Sequence, residues 1–183
     1  LDLALQSKVK LHVAFYYPKR NVSFKYLETT YYPIGTKGWK YKALIKSIWQ
    51  EFTDTQDLPK YLEIINRVKP DIIHIHGTEN PFGQILGNTN IPVVVSIQGN
   101  STVYFHKFLS GFTSRDLRQG FHFPNKNLRR VFFQKSFLNI RHEFKKAALR
   151  EQRNLAPVKY IIGRTDWDRR ISSVLAKERT YYH

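Results

Sequence analysis

The chain has no cysteine and no methionine among its 183 residues. Without cysteine, a disulfide scaffold, a thiolate metal site and redox chemistry at sulfur are excluded, and histidine and the carboxylates remain as the strong metal ligands. The missing methionine extends to the first position, Leu1, as expected of a fragment of a longer gene product. Long apolar runs are missing too: none approaches the roughly 20 residues that cross a bilayer, and no signal or transit peptide is visible. A cytoplasmic location is the expectation. Acidic residues are scarce, 14 against 30 lysines and arginines, and the net charge of +16 favours anionic partners such as nucleic acid, acidic lipid or phosphorylated ligands. With 42% hydrophobic residues and no internal repeat, the expected organisation is one well-packed domain spanning residues 1–183.

What is present alternates between two hydrophobic periods. After a short helical tail, LDLALQ, the segments 9–17 and 28–34 read as strands joined by a polar connection. Leu44, Ile45, Ile48, Trp49 and Phe52 recur at helical spacing. A second helix carries Leu58, Tyr61, Leu62, Ile64 and Ile65, with Asp54 or Thr55 as its cap. The run KPDIIHIHG at 69–77 is a short β-branched strand, apolar on both faces as suits a parallel strand between two helix layers. Pro70 closes the helix before it and Gly77 releases it. A short helix around Phe82 to Leu86 leads to IPVVVSIQG at 91–99, a second buried strand with a glycine exit. A long helix from Ser136 to Ala156 turns Phe137, Ile140, Phe144, Ala147, Ala148 and Leu155 inward. The strand VKYIIG at 158–163 follows, then a helix opened by Thr165, whose TDWD reads as a variant capping box. This alternation predicts the α/β class, with a Rossmann-like parallel sheet flanked by helices and right-handed crossovers.

In open α/β sheets ligands bind outside the carboxyl ends of the strands, so the residues at the three exits are the candidates for chemistry. His74 and His76 share one strand face, which permits a metal, but a third ligand at diagnostic spacing is missing. His74 is read as a hydrogen-bonded packing residue and His76 as a site-lining one, with metal expected at neither. Gln98, Gly99 and Asn100 suit a hydroxyl-rich ligand or a phosphate, against the plain alternative of a Gly-Asn turn. Arg164 precedes a helix N-terminus, where an anion is stabilised, or else it pairs with Asp166 or Asp168. Trp167 is read as core, and Thr165 and Asp168 as caps. Glu151 falls close to the apolar face of the long helix, where a carboxylate needs a partner, and an ion pair is the expected one.

The stretch Tyr104 to Lys146 holds nine of the 13 phenylalanines and ten of the 30 lysines and arginines, around an irregular centre with Gly111, Gly120 and Pro124. Phe105, Lys107, Phe108, Arg115, Arg118, Arg129 and Arg130 are its candidates for membrane docking or acceptor capture, by interfacial insertion and attraction to anionic lipid. Stacking on nucleic acid is less favoured, because no recognised motif accompanies it. Core phenylalanines beneath a solvated basic face are the plain alternative.

Taken together, PDIIHIHGTE (70–79), PVVVSIQGN (92–100) and REQRNLAPVKYIIGRTDWDRR (150–170) resemble the N-terminal domain of retaining glycosyltransferases of family 4, above all bacterial cell-envelope members with an RTDWD segment. The likeness runs from about residue 60 onward. It implies one half of a two-domain GT-B enzyme, the half that holds the acceptor, with a nucleotide-sugar donor held by a C-terminal domain outside this chain. By that resemblance His76, Gly77 and Thr78 line the cleft together with Glu79 and Asn100, Gln98 and Gly99 approach the transferred sugar, and Arg164 and Thr165 face the linker side. Many members have histidine where this chain has Gln98, and glutamine can donate a hydrogen bond but cannot act as a base. The family's first strand with its glycine-rich loop, and its donor-binding carboxylate pair, are not in the chain, so the fragment alone is expected not to turn over. The implied partners are the C-terminal domain, a glycan or lipid-linked acceptor and an anionic membrane surface, at the inner face of the plasma membrane. No cofactor is implied for the fragment and no metal for the chemistry. A different class stays open: a non-catalytic basic α/β module binding nucleic acid or another anionic polymer.

Overall fold

A computed structural model describes residues 9–17, 22–35, 57–113, 115 and 137–183, leaving aside the side chains of 137–140. The helical tail, the apolar series 44–52 and most of the basic aromatic stretch lie outside the described residues. The chain divides into two compact units, residues 1–71 and 72–183.

In the first unit, β1 (His12–Tyr16), β2 (Phe24–Tyr26) and β3 (Thr29–Ile34) form a sheet in the order β1-β3-β2. β1 runs parallel to β3, and β2 antiparallel to it. Three residues are too few for β2 to show an alternation in sequence; cross-strand pairing forms it, with the Phe24 and Tyr31 rings stacked at 5.1 Å. Helix α1 (Leu58–Val68) begins later than expected, with Asp57 at its cap position and proline in its first turn, while Asp54 and Thr55 lie outside the described residues. The Tyr16 hydroxyl donates to Asp57 Oδ2 at 3.2 Å and also meets the hydroxyl of buried Tyr61. α1 stops where Lys69 adopts a left-handed conformation ahead of Pro70.

The second unit confirms the expected class. Strands β4 (Ile73–His76), β5 (Val93–Ser96), β6 (Tyr160–Ile162) and β7 (Thr180–Tyr182) form an all-parallel sheet in that order. A 3-10 helix (Pro81–Ile85), α2 (Ser101–Lys107), α3 (Phe137–Leu155) and α4 (Asp166–Leu175) flank it, which makes the unit Rossmann-like. Strand register sets Ile75, Val95 and Ile161 in one row, exposed by 5%, 2% and 0%. Leu155 of α3 and Gly83 of the 3-10 helix line a small pocket with that side. Each such aliphatic side chain removed from water stabilises the fold by roughly 1.5–3 kcal/mol.

The opposite row differs from expectation. His76, Ile162 and Tyr182 are exposed and so is His74, with Ser96 buried among them; among the described residues β4 ends the sheet and carries exposed histidines on one face rather than lying apolar between two helix layers. Isoleucine content alone could not distinguish the two, because a β-branched strand satisfies either setting. Trp167 is likewise exposed rather than core. The inward stripe of α4 runs through Asp168, Ile171, Ser172 and Leu175, and Trp167 falls one position, about 100°, away from it.

Candidate functional site at the strand exits

Neighbouring parallel strands end on one edge, so topology gathers the segments that follow β4, β5 and β6. The first exit turns at Gly77, whose φ of +84° suits glycine and whose amide donates to Ser96 O at 2.9 Å. Thr78 is buried, and its hydroxyl lies 3.2 Å from Gly99 O while hydrogen-bonding Oε1 of Glu151 on α3. A hydroxyl has one proton, so the nearer carboxylate takes it.

Glu151 is fully buried and also accepts the first amides of α2, Ser101 N at 3.0 Å and Thr102 N at 2.7 Å. Asn100 completes that end by accepting from Val103 N at 2.8 Å. The expected ion pair of Glu151 is therefore replaced by three donors at the positive end of a helix, which hold a carboxylate without a cation. The adjoining Arg150, 8% exposed, donates from Nη2 to the carbonyl of Glu79. Two consecutive charged residues of α3 thus clamp the loop 77–79 from beneath.

The Glu79 side chain stays outside, exposed, with its carboxylate laid across two glycines. A Cβ on Gly77 would collide with Oε2, and one on Gly99 would stand 2.8 Å from Oε1 and 3.5 Å from the Tyr104 ring. At the third exit the exposed Arg164 donates from Nη2 to Gln98 O at 3.1 Å, tying β6 to β5. At the N-terminus of α4 the cap read from the sequence is present. Asp168 Oδ2 accepts from Arg164 N at 2.9 Å and Thr165 N at 3.1 Å, and Asp168 N donates to Thr165 Oγ1 at 3.2 Å. The two side chains thus form a capping box. Asp166 takes Arg169 and then Arg170, hydrogen bonds that hold its carboxyl below the usual carboxylate range. Tyr181 donates to Thr165 O at 2.9 Å, and burial, followed by the nearby Asp168 charge, pushes its phenol up.

The histidines belong to the open sheet face. His74 is exposed rather than packed inside, its Nε2 lies 2.5 Å from Ser96 Oγ, and its ring meets that of His76 edge-on at 6.1 Å. Desolvation of the ring, with His76 beside it, lowers the His74 pKa from 6.5. Among the described residues no three histidine or carboxylate side chains gather as a metal site.

The family-model, curated-protein and solved-structure comparisons return no match for this chain. The edge brings together Gly77, Thr78, Glu79, Gln98, Gly99, Asn100, Arg164 and Thr165. The Thr78 hydroxyl and Asn100 Oδ1 are spent on the scaffold, while Glu79 and Arg164 stand exposed and Gln98 half-buried. From the basic aromatic stretch, Phe105 and Phe108 are half-buried, with Phe108 4.8 Å from the Phe144 ring and Arg141 5.9 Å over Phe105. Lys107 and Arg115 are exposed; Arg118, Arg129 and Arg130 lie outside the described residues. No described helix is long and apolar enough to cross a membrane. Sequence reasoning marked Glu151 as a carboxylate in need of a partner but expected an ion pair, and it did not see that Arg150 and Glu151 act together as clamps. Their signal was opposite charges side by side between Ala148 and Leu155 on an inward-facing helix stripe.

Proposed function

We propose that this chain is the acceptor-side part of a retaining glycosyltransferase that moves a sugar from a nucleotide donor to a glycan or lipid-linked acceptor. One observation carries the reading: the segments that resemble family 4 motifs, distant in sequence, meet at the carboxyl edge of one parallel sheet, where α/β enzymes bind ligands. The groups presented there are a carboxylate, an amide and a guanidinium, a set of donors and acceptors suited to a polyhydroxyl ligand. Gln98 orients and cannot take a proton, so this side positions the acceptor. The leaving diphosphate falls to cationic groups and helix N-termini of the donor side. The surplus of positive charge draws a lipid-linked diphosphate or the anionic surface that carries it.

The test is to express the whole reading frame from which the chain comes and to measure nucleotide release from UDP- and GDP-sugars with bacterial membrane extract as acceptor. Acceptor-dependent release with a retained anomeric configuration, read by proton NMR of the product, is the expected result. No release from any donor, together with salt-dependent retention on DNA but not on anionic vesicles, would replace the enzyme with a basic binding module.

A further inference from the structure

We propose that the Glu79 carboxylate sets acceptor specificity, accepting hydrogen bonds from adjacent hydroxyls of a neutral pyranoside and excluding sugars that carry an anionic substituent there. The inference rests on the reading above and names the substrate class of the same site.

Glu79 is the carboxylate at these exits that the fold leaves uncommitted. Asp168, its counterpart at the third exit, accepts two backbone amides, whereas the Glu79 carboxylate meets no hydrogen-bond donor among the described residues. An ionised carboxylate has about four acceptor positions, which water or ligand hydroxyls must fill. Its seat is built. Gly77 and Gly99 leave the space it occupies, and a side chain on either would push it away.

The loop beneath is fixed by residues that are themselves more than nine-tenths buried. Arg150 grips the Glu79 carbonyl and Glu151 grips Thr78. The backbone that carries Glu79 is thus fixed, which sets where its carboxylate can reach, while the exposed side chain keeps its own rotamer freedom. Gln98 and Arg164 follow from the next two exits, tied to each other by the Arg164 Nη2 donation to Gln98 O. In a chain of net charge +16, which attracts anions generally, an exposed carboxylate at the strand exits supplies local selection against a negatively charged sugar ring.

The experiment titrates the isotope-labelled chain with methyl glucoside, methyl galactoside, methyl mannoside, N-acetylglucosamine and sodium glucuronate, following the Gly77 and Gly99 amides by NMR. At least one neutral pyranoside should move both amides. Glu79→Ala should weaken that binding about tenfold, and Glu79→Gln, which keeps one acceptor, should lose less. Glucuronate should leave both amides in place. The side chain is exposed, so an unchanged melting temperature shows that the variants fold. The proposal is overturned if no neutral sugar moves the two amides, if Glu79→Ala binds as the parent does, or if glucuronate binds as well as the neutral sugars. Failure of the wider reading looks different: sugar binding that depends on Glu79 without nucleotide release by the whole protein keeps the site and removes the transferase. Transfer with an acceptor KM unchanged in Glu79→Ala removes the site and keeps the transferase.

Discussion

Glu151→Ala removes the acceptor for three donors at once: the Thr78 hydroxyl, Ser101 N and Thr102 N. The hydroxyl can fall back on Gly99 O, 3.2 Å away, but the two amides have no such alternative from a shortened side chain. A buried donor left unmet costs about 1–3 kcal/mol, so the two amides together cost about 2–6 kcal/mol. Relief of the carboxylate's own desolvation, and entry of a water into the vacated space, offset part of this. The expected net loss is about 3 kcal/mol, large against the 5–15 kcal/mol that holds a typical domain. Glu151→Gln keeps the shape but must turn its NH2 toward either Thr102 N or the Ser101 and Thr78 donors, and it has lost the charge. A loss of about 1–2 kcal/mol follows, since hydrogen bonds to a charged acceptor are roughly twice as strong as neutral ones. Because the chain has two units, global unfolding need not be two-state. Hydrogen exchange at the Ser101 and Thr102 amides, with urea unfolding followed by circular dichroism, reads the second unit directly. If Glu151→Ala costs less than about 1 kcal/mol, or leaves protection of those two amides unchanged, the buried carboxylate is not the cap of α2 and the reasoning fails.

The two glycines under Glu79 should behave differently. Gly77 has a φ of +84°, which a residue with a Cβ adopts only under strain, so Gly77→Ala should cost about 1–2 kcal/mol in chemical unfolding. Gly99 has no such backbone demand, and an added methyl meets the movable end of Glu79 at 2.8 Å. Gly99→Ala should stay within about 0.5 kcal/mol while shifting the Glu79 side-chain resonances; equal losses at both sites would refute the backbone argument. His74 gives a pH dependence of known sign. Its folded pKa lies below 6.5, so the unfolded chain takes the proton first. Its contribution is complete above that value and is lost as pH falls through the folded one. His12 has the same direction, from desolvation and then Lys10, so His74→Gln should flatten only part of the acid limb of a stability-against-pH curve. An unchanged limb would count against desolvation of the His74 ring in the folded chain.

Much of the fold could be read from local pattern. The runs IIHI and VVVS, the glycines after them, the period of the long helix and the TDWD cap are short-range preferences that the structure keeps. Their order specified an α/β unit with strand exits at Gly77, Gln98 and Arg164, because a parallel crossover leaves few topologies open. Sequence could not say which strand stands at the edge, since a β-branched run fits an open face as well as a covered one. The open face exposes His74 and His76, and a place one position off the inward stripe of α4 exposes Trp167. Nor could it pair Glu151 with Thr78 and with the start of α2, contacts 73, 50 and 49 residues apart. Those partners exist only once helix and sheet are packed. The residue types at the strand exits were determined by sequence, but their division into clamps and a free carboxylate was decided by the tertiary structure, because burial removes water and obliges each polar group to find its partner in space.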